Sequence, residues 1–312
     1  LGWGVSASRH DASYDYGLQA RAIDPFDRTR LLASQRAIDI EVSGDKLGVY
    51  GSYRTRLGDA LTIEAGARWD SYRYEHGQSY TRASPRFNAV YEIGERSELR
   101  AAWGVMHQPH SIDRLDVEDG ETQFHQPESA RHLVVGYALK LFDTMSLRVD
   151  AYRKDYSDLR PRYENEFTSV RVIAEAEADR IRLDASRARA QGIELSLRRD
   201  TREQWGGWFS YGYAQAEDFE DGAWRTRSWE QQHSVTIGVG RSGATWDVNL
   251  AAFYHSGAPS TPVSFQIVER DDGSSLLLLE RGAANTTRLG HYLRFDLPAS
   301  RNVFFESSAL AY

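Results

Sequence analysis

The 312-residue chain contains no cysteine, which excludes disulfide bonds and thiolate metal sites. It also has no apolar run close to the roughly 18 residues that a transmembrane helix needs, and the leucine run at 276–279 has only four. No basic stripe is present and the formal net charge is −7, so we expect no nucleic acid partner. Mean hydropathy is −0.58, but such averages also stay low in transmembrane β-barrels, whose strands alternate lipid-facing and lumen-facing residues.

Strict alternation of apolar and polar residues is the main pattern that is present. In segment 61–70, Leu61, Ile63 and Ala65 alternate with Thr62 and Glu64, and this period of two predicts a β-strand. Further segments that predict strands are 1–9, 47–57, 85–93, 131–141, 145–153, 191–199, 233–240, 245–255, 289–297 and 303–311. Helical spacing is limited to loop segments such as 174–185, where a short helix is possible.

Short and long connections alternate along the chain from residue 58 onward. The short ones are 58–60, 94–96, 142–144, 200–205, 241–244 and 298–301; the long ones are 71–83, 107–130, 156–189, 217–231 and 256–287. An antiparallel meander closed into a barrel gives this order when one rim has tight turns and the other has broad loops. A soluble Greek-key sandwich has no reason to sort its loops in this way. The sequence therefore predicts an all-β fold, a transmembrane antiparallel β-barrel with short periplasmic turns and long extracellular loops.

The charged residues of the predicted strands fall on the face opposite the apolar one, and we expect that face to line a wet lumen. The lumen-facing candidates are Glu64, Arg68, Asp70, Arg86, Glu98, Arg100, Arg148, Asp150, Glu194, Arg198, Asp247, Arg294 and Asp296. On a lipid face each charge would cost on the order of 2–4 kcal/mol at the bilayer midplane. The 8 Trp, 17 Tyr and 12 Phe supply the aromatic girdles that membrane interfaces favour.

About thirteen strands can be placed, whereas single-chain bacterial barrels have even numbers of strands. The first and last segments would both run upward, so they could not close antiparallel to each other. We therefore expect residues 1–312 to be part of a larger barrel. An Asp-Gly turn signal in 264–280 predicts a β-hairpin that extends one outer loop without changing the odd count.

Five stretches together resemble the TonB-dependent outer-membrane receptors. They are SPRFNAVYEIGERSELRAAWGVMHQP (84–109), QPESARHLVVGYALKL (126–141), MSLRVDAYRKDYSDL (145–159), ARAQGIELSLRRD (188–200) and HYLRFDL (291–297). The resemblance implies a 22-stranded barrel, an N-terminal plug and energy supplied by the TonB complex. The thirteen strands would match the ninth to twenty-first of that pattern, so the plug, the first strands and the last strand are expected to be absent from this sequence.

The resemblance implies a receptor in the outer membrane of a Gram-negative bacterium, in contact with its lipid and lipopolysaccharide. It would import a scarce solute, which could be a siderophore, a vitamin or a glycan, with TonB-derived energy. One alternative is a barrel that anchors or binds a surface protein or lipoprotein without transport, and another is a small porin. No hydrolase elbow, metalloprotease helix or Walker loop is present, so we do not expect an enzyme, although a protease or phospholipase could build its site from adjacent strands.

The long connections hold the candidate binding residues. Aromatic and arginine side chains suit stacking on sugars, aromatic siderophores or a partner protein, and the alternative is an interface girdle or the packing of an inward-folded loop. The loop candidates are His107, His110, Trp224, Arg225, Arg227 and Trp229. His107, His110 and Asp113 match no zinc spacing, and the acidic stretches 116–121 and 269–273 do not match an EF-hand, so we predict no metal site and no cofactor. The connection within 164–190 is the longest and could fold over the barrel mouth.

Overall fold

A computed structural model describes residues 1–23, 31–75, 78–166, 173–200, 205–243, 245–269, 273 and 275–301. The strands are β1 (Gly2–Ile23), β2 (Leu31–Leu57), β3 (Leu61–Tyr74), β4 (Ser79–Ile93), β5 (Ser97–Gln108), β6 (Glu128–Phe142), β7 (Met145–Ser157), β8 (Arg162–Asn165), β9 (Arg180–Leu183) and β10 (Arg187–Arg199). They continue with β11 (Trp205–Glu220), β12 (Ala223–Thr226), β13 (His233–Ser242), β14 (Trp246–His255), β15 (Pro259–Ser260), β16 (Val263–Glu269), β17 (Ser275–Arg281), β18 (Thr287–Arg288), β19 (Tyr292–Asp296) and β20 (Ala299–Arg301).

Fourteen of these strands form one antiparallel sheet, and its order follows the chain. The path is β1-β2-β3-β4-β5-β6-β7-β10-β11-β13-β14-β19, with β12 paired to β11 and β20 paired to β14. Strands β15 with β18, β16 with β17 and β8 with β9 form three small two-stranded sheets within the long connections. The predicted meander and the predicted hairpin at 264–280 are therefore confirmed.

The tight connections of the sheet lie at one edge and the long connections at the other. Gly58 and Gly94 take positive φ angles of 63° and 67° in two of the tight turns, a backbone region that glycine enters without steric cost. The long-loop edge carries the small sheets and two short 3₁₀ turns at Val117–Asp119 and Ala174–Ala176. Among the described residues, no helix is long and apolar enough to cross a membrane.

Several predicted strand limits are wrong. Strand β1 continues to Ile23 instead of ending near residue 9, and β2 begins at Leu31 instead of near residue 47. The connection predicted at 71–83 is mostly strand, because β3 ends at Tyr74 and β4 begins at Ser79. These errors share a cause. In β1, β2 and β3 the apolar residues occupy odd positions near the tight turns but even positions near the long loops.

Other corrections concern the last part of the chain and the predicted loop helix. The turn predicted at 298–301 is instead strand β20, which resumes pairing with β14 after Pro298. The short helix considered for segment 174–185 is limited to a 3₁₀ turn at Ala174–Ala176, and strand β9 follows it. The predicted strand 303–311 lies outside the described residues.

The register places the thirteen lumen candidates on one face of the sheet, called here the polar face. Directly opposed residues on neighbouring strands share a face, and one such row runs through Arg100, Gly136, Asp150 and Glu194. The opposite face, called here the apolar face, exposes large hydrophobic residues on neighbouring strands. Examples are Val49, Trp69, Phe87, Trp103, Val135, Ile193, Ile237 and Leu250.

Candidate functional site

The connection from Pro109 to Pro127 folds back over the polar face near the long-loop edge. Its residues Ile112, Leu115, Val117 and Phe124 are buried against strand side chains. The strand side of this cluster consists of Val42, Tyr72 and Tyr74, with Ala12, Tyr14, Tyr16, Ile38, Ile40 and Tyr80 partly buried around it. The polar face is thus charged near the tight turns and aromatic near the loops, and the aromatic part holds the connection in place.

Hydrogen bonds fix the first turn of this connection. The Tyr14 hydroxyl donates to the Ile112 carbonyl at 2.6 Å and accepts from the Leu115 N–H at 2.9 Å. The Tyr74 hydroxyl donates to the His110 carbonyl at 2.8 Å. These bonds satisfy backbone groups that would otherwise be buried without a partner.

His110 is a buried structural residue rather than an open ligand. Its Nε2 lies 2.8 Å from the Arg114 carbonyl, and its Nδ1 accepts from the His125 N–H at 3.3 Å. This arrangement requires the neutral ring with its proton on Nε2. Burial lowers the pKa of His110 below its usual value, and the nearby Arg160 acts in the same direction.

The connection 158–186 is tied to the first one by buried charges. Asp119 forms an ion pair with Arg180, and its side chain is only 2% exposed. Glu121 accepts a hydrogen bond from the Tyr163 hydroxyl and lies 3.7 Å from Arg182. Burial alone would raise the pKa of Glu121, but the Tyr163 hydrogen bond and the positive charge of Arg182 outweigh it, so this pKa is lowered. The two connections therefore form one interlocked cover.

A third group of contacts surrounds Asp218 at the end of β11. This carboxylate is 6% exposed and accepts from Arg162 at 2.7 Å and from Arg227 at 2.7 and 2.9 Å. Glu164 accepts a 2.7 Å hydrogen bond from Ser228 and one of 3.3 Å from Arg162. One carboxylate therefore fixes two guanidinium groups from different connections.

These two guanidinium groups flank Trp229. The guanidinium carbons of Arg162 and Arg227 lie 4.7 and 5.3 Å from the centre of the indole ring. The tryptophan remains 50% exposed. The result is a flat aromatic surface beside fixed positive charge, an arrangement that binds anionic or aromatic groups.

The last long connection joins this group through Glu230. This carboxylate accepts from the Ala216 N–H at 2.8 Å and pairs with Arg288, while Asn285 donates to the Thr226 carbonyl at 2.8 Å. The four connections that follow β5, β7, β11 and β14 are thereby held in one arrangement.

The structure separates the loop candidates that the sequence grouped together. Trp224 lies on β12 opposite Phe219 on the apolar face, with the Arg189 guanidinium carbon 4.1 Å from its ring centre. Arg225 pairs with Glu220 and Asp221. Of the four loop candidates in that stretch, Arg227 and Trp229 belong to the Asp218 group.

The histidine candidates do not converge. His107 lies 3.0 Å from the Ser84 hydroxyl and 3.4 Å from that of Ser129, whereas Asp113 is held by Ser111 in its own turn. In the described part of the chain, no three His, Asp or Glu side chains come close enough together to hold a metal ion.

Sequence reasoning missed Arg162, Glu164 and Asp218. Arg162 and Asp218 are separated by 56 residues, and no local motif links them. The sequence does contain one signal for the position of Asp218, the Asp221-Gly222 pair. It forms a two-residue turn with φ values of 50° and 80° that folds β12 back onto the end of β11.

Ion pairs occupy the polar face below this cover. Glu64 lies 2.6 Å from Arg54 and 3.8 Å from Arg86, which links three neighbouring strands. Pairs two residues apart on one strand are Arg68 with Asp70, Glu98 with Arg100, Arg148 with Asp150, Arg198 with Asp200 and Arg294 with Asp296. Asp247 lies directly opposite Ser242 and Ser300 on the same face.

A long antiparallel meander with an exposed apolar face, an ion-paired polar face and long loops at one edge defines an outer-membrane β-barrel. The family described as TonB dependent receptor-like, beta-barrel matches residues 1–303. The chain belongs to this family of TonB-dependent receptors, which are proteins of the Gram-negative outer membrane.

Solved receptors share the fold. The copper transporter OprC aligns over 97% of this chain and 45% of its own length, with a TM-score of 0.66 and 13% identity. The ferripyoverdine receptor of Pseudomonas aeruginosa aligns over 86% and 33%, with a TM-score of 0.54 and 17% identity. The ferric-catecholate import receptor Fiu of E. coli K12 aligns over 82% and 41%, with a TM-score of 0.56 and 13% identity. The chain thus spans a third to less than half of these receptors, and no curated protein matches its sequence.

Proposed function

We propose that the protein is an outer-membrane receptor that binds a scarce solute at the long-loop edge and imports it with energy relayed through TonB. The observation that carries this proposal is Trp229, half exposed between Arg162 and Arg227, whose charges are compensated by the buried Asp218. Because the Asp218 carboxylate is buried and the Trp229 ring is half exposed, the ring and the two guanidinium groups form a surface that a solute can reach from solvent.

The polar face of the sheet lines the lumen in this proposal, and the apolar face meets lipid. Charges that are paired and hydrated within a lumen carry no large desolvation penalty, whereas the same charges facing hydrocarbon would each cost several kcal/mol. A wide barrel needs a plug to avoid an open pore, and the lumen charges would hold it through polar contacts.

Among a siderophore, a vitamin and a glycan, the geometry favours an anionic siderophore. Arg162 and Arg227 offer fixed guanidinium N–H donors to anionic oxygens while Asp218 and Glu164 balance their charge, and the indole ring stacks on an aromatic or planar group. Two of the similar solved structures are named for ferripyoverdine and for ferric-catecholate import, and a third is named for copper.

Transport of labelled ferric siderophores into cells that lack other receptors tests the proposal. Trp229→Ala and Arg162→Gln should lower uptake at limiting solute by about tenfold, since each removes one half of the binding surface. Trp224→Ala is the matched control, because this tryptophan lies in the same connection but on the apolar face, and its uptake should equal that of the unaltered protein.

Removal of TonB tests the energy source separately. Uptake should stop while binding of the solute to cells persists. Uptake that continues without TonB would contradict the importer proposal, and equal uptake by the Trp229 and Trp224 variants would contradict the site.

A second candidate function, binding of a surface protein or lipoprotein, is favoured by the hairpin of β16 and β17. Phe265 and Ile267 are 68% and 73% exposed, and the register places them opposite Leu279 and Leu277 on one face of the hairpin. An exposed apolar strip on a projecting hairpin is typical of a protein contact. One similar structure is a complex of FpvAI with pyocin S2.

Photo-crosslinking from position 265 in intact cells separates the two functions. A specific crosslinked partner that disappears in Ile267→Ser, while solute uptake is unchanged, would support a separate protein contact. The control places the crosslinker at position 229 and is run without solute. If position 229 readily forms adducts and position 265 forms no specific one, the proposed protein contact is contradicted.

A further inference from the structure

The apolar face changes character near the long-loop edge. On β6 the residues of this face run from Leu139, Tyr137, Val135 and Leu133 to Arg131. On β7 they run from Leu147, Val149 and Ala151 to Arg153 and Asp155, and on β10 from Leu195 and Ile193 to Gln191, Arg189 and Arg187. The apolar band therefore ends within one row of the register on three adjacent strands, and guanidinium groups begin there.

We propose that these four arginines, Arg131, Arg153, Arg187 and Arg189, form a binding patch for the phosphate groups of lipopolysaccharide in the outer leaflet. The name arginine patch is used below for this set. Its position directly above the apolar band matches the level at which the phosphorylated sugars of that lipid meet its acyl chains. The proposal depends on the apolar face meeting lipid, but not on any transported solute.

The register concentrates the charges. Asp155 lies directly opposite both Arg131 and Arg189, so these two arginines are roughly 10 Å apart across three strands. Arg153 donates to Asp155 at 3.0 Å, and Arg189 donates to Glu217 at 2.6 Å. In the described part of the chain, no ion pair holds Arg131 or Arg187. Four guanidinium groups thus share two carboxylates, which leaves a net positive charge on this part of the face.

Aromatic rings complete the patch. The guanidinium carbon of Arg187 lies 4.4 Å from the centre of the Phe219 ring, and that of Arg189 lies 4.1 Å from the centre of the Trp224 ring. Phe219 and Trp224 contact each other with centroids 5.2 Å apart. Aromatic side chains prefer the boundary between hydrocarbon and polar head groups, so their position independently marks this level as the interface.

The opposite end of the sheet has the reverse charge on this face beyond its apolar residues. On the same face, the extended parts of β1 and β2 carry the acids Asp11, Asp15, Asp39, Glu41 and Asp45 but only the arginines Arg9 and Arg21. General attraction of the protein to anionic lipid would not need such an asymmetry. A local binding site for phosphate does need positive charge concentrated in one part of the face.

Lipid exchange in nanodiscs tests the patch with the protein as purified from outer membranes. The probe is bisphosphorylated lipid A, titrated against the unaltered protein, Arg131→Gln/Arg153→Gln and the matched control Arg9→Gln/Arg73→Gln. The control removes two exposed arginines of the same face that follow the apolar residues of β1 and β3, outside the patch. We expect about tenfold weaker binding or more for the patch variant and no change for the control.

Two comparisons use the unaltered protein only, so they do not require any variant to fold. They distinguish the phosphate groups of lipopolysaccharide from those of other lipids. Bisphosphorylated lipid A should bind more tightly than monophosphoryl lipid A, and phosphatidylglycerol should not compete at equal concentration. Equal binding of the two forms of lipid A, effective competition by phosphatidylglycerol, or an equal loss in the control variant would overturn the proposal. Arg131→Lys/Arg153→Lys should recover part of the lost binding, because the charge returns without the planar fork.

Discussion

The ring of Tyr74 stacks on that of Phe124, with centroids 4.5 Å apart and ring planes within 10° of parallel. Tyr74 ends strand β3, and Phe124 belongs to the connection that follows β5. This contact therefore helps to attach the cover over the polar face to the sheet.

Phe124→Ala should release the connection 109–127 without unfolding the sheet. A buried Phe→Ala change costs about 3–5 kcal/mol, and here the loss falls on a loop that is otherwise held by the buried Ile112, Leu115 and Val117, by hydrogen bonds and by one ion pair. Hydrogen exchange should show faster exchange at residues 110–121 and unchanged exchange in β6 and β7. Phe265→Ala, at an exposed position, serves as the control and should leave both regions unchanged.

Asp218→Asn should disorder the surface around Trp229. The change leaves Arg227 without its carboxylate partner and Arg162 with Glu164 alone in a mostly buried setting, and removing one partner of such a pair typically costs about 3–5 kcal/mol. The expected result is at least tenfold weaker solute binding, with slower quenching of the Trp229 fluorescence by the solute. Asp200→Asn removes an exposed partner of Arg198 and should change neither quantity, because surface pairs contribute little.

Mild acid should loosen the connection 109–127. Burial lowers the pKa of His110, so below pH 6.5 the unfolded state binds more protons than the folded state. The stability of the connection with the neutral ring buried is therefore fully present above pH 6.5 and is lost as the pH falls below that value. Hydrogen exchange near residue 110 should accelerate between pH 7.5 and 5.5, after correction for the intrinsic rate.

His110→Gln is the matching control for the pH experiment, since it keeps hydrogen-bonding groups but cannot titrate. The pKa of Glu121 is lowered, so this carboxylate stays charged across the whole range. An unchanged pH dependence in the variant would show that another group is responsible.

Ala65→Arg should hinder assembly into the membrane. Ala65 lies midway between Leu61 and Trp69 on the apolar face of β3, where an arginine costs on the order of 2–4 kcal/mol. Asn88→Arg adds the same side chain on the polar face, directly opposite Glu64, and should fold normally. Urea unfolding of the protein in lipid vesicles measures both, and equal stabilities would contradict the assignment of the faces.

The barrel portion of the fold was predictable because its alternation is regular. Leu61, Ile63 and Ala65 keep one parity through the apolar band, and the order of short and long connections fixes the meander. The upper parts of the strands were missed because the parity changes. In β1 the apolar residues are Trp3 and Val5 near the start but Tyr14 and Tyr16 further along, since the latter pack under the cover instead of facing lipid.

The candidate site was predictable only in part. Arg227 and Trp229 stand out because arginine and tryptophan occur together in a long connection. Their partners Arg162 and Asp218 come from other segments, and only the register of the sheet brings them together. Nothing in the local sequence distinguishes Trp229 from Trp224, which lies on the other face.

The pairing of β1 with β2 has a consequence for what the surroundings of the cell encounter. The hairpin keeps its ladder through all 22 residues of β1, a length of about 75 Å at 3.4 Å per residue, whereas a spanning strand needs only about 9–11 residues. At least half of the hairpin therefore extends beyond the membrane-spanning length as a stiff ladder, and one face of it carries Asp11, Asp15, Asp39 and Glu41. Anything that approaches the cell surface would meet this acidic hairpin as well as the loops around Trp229.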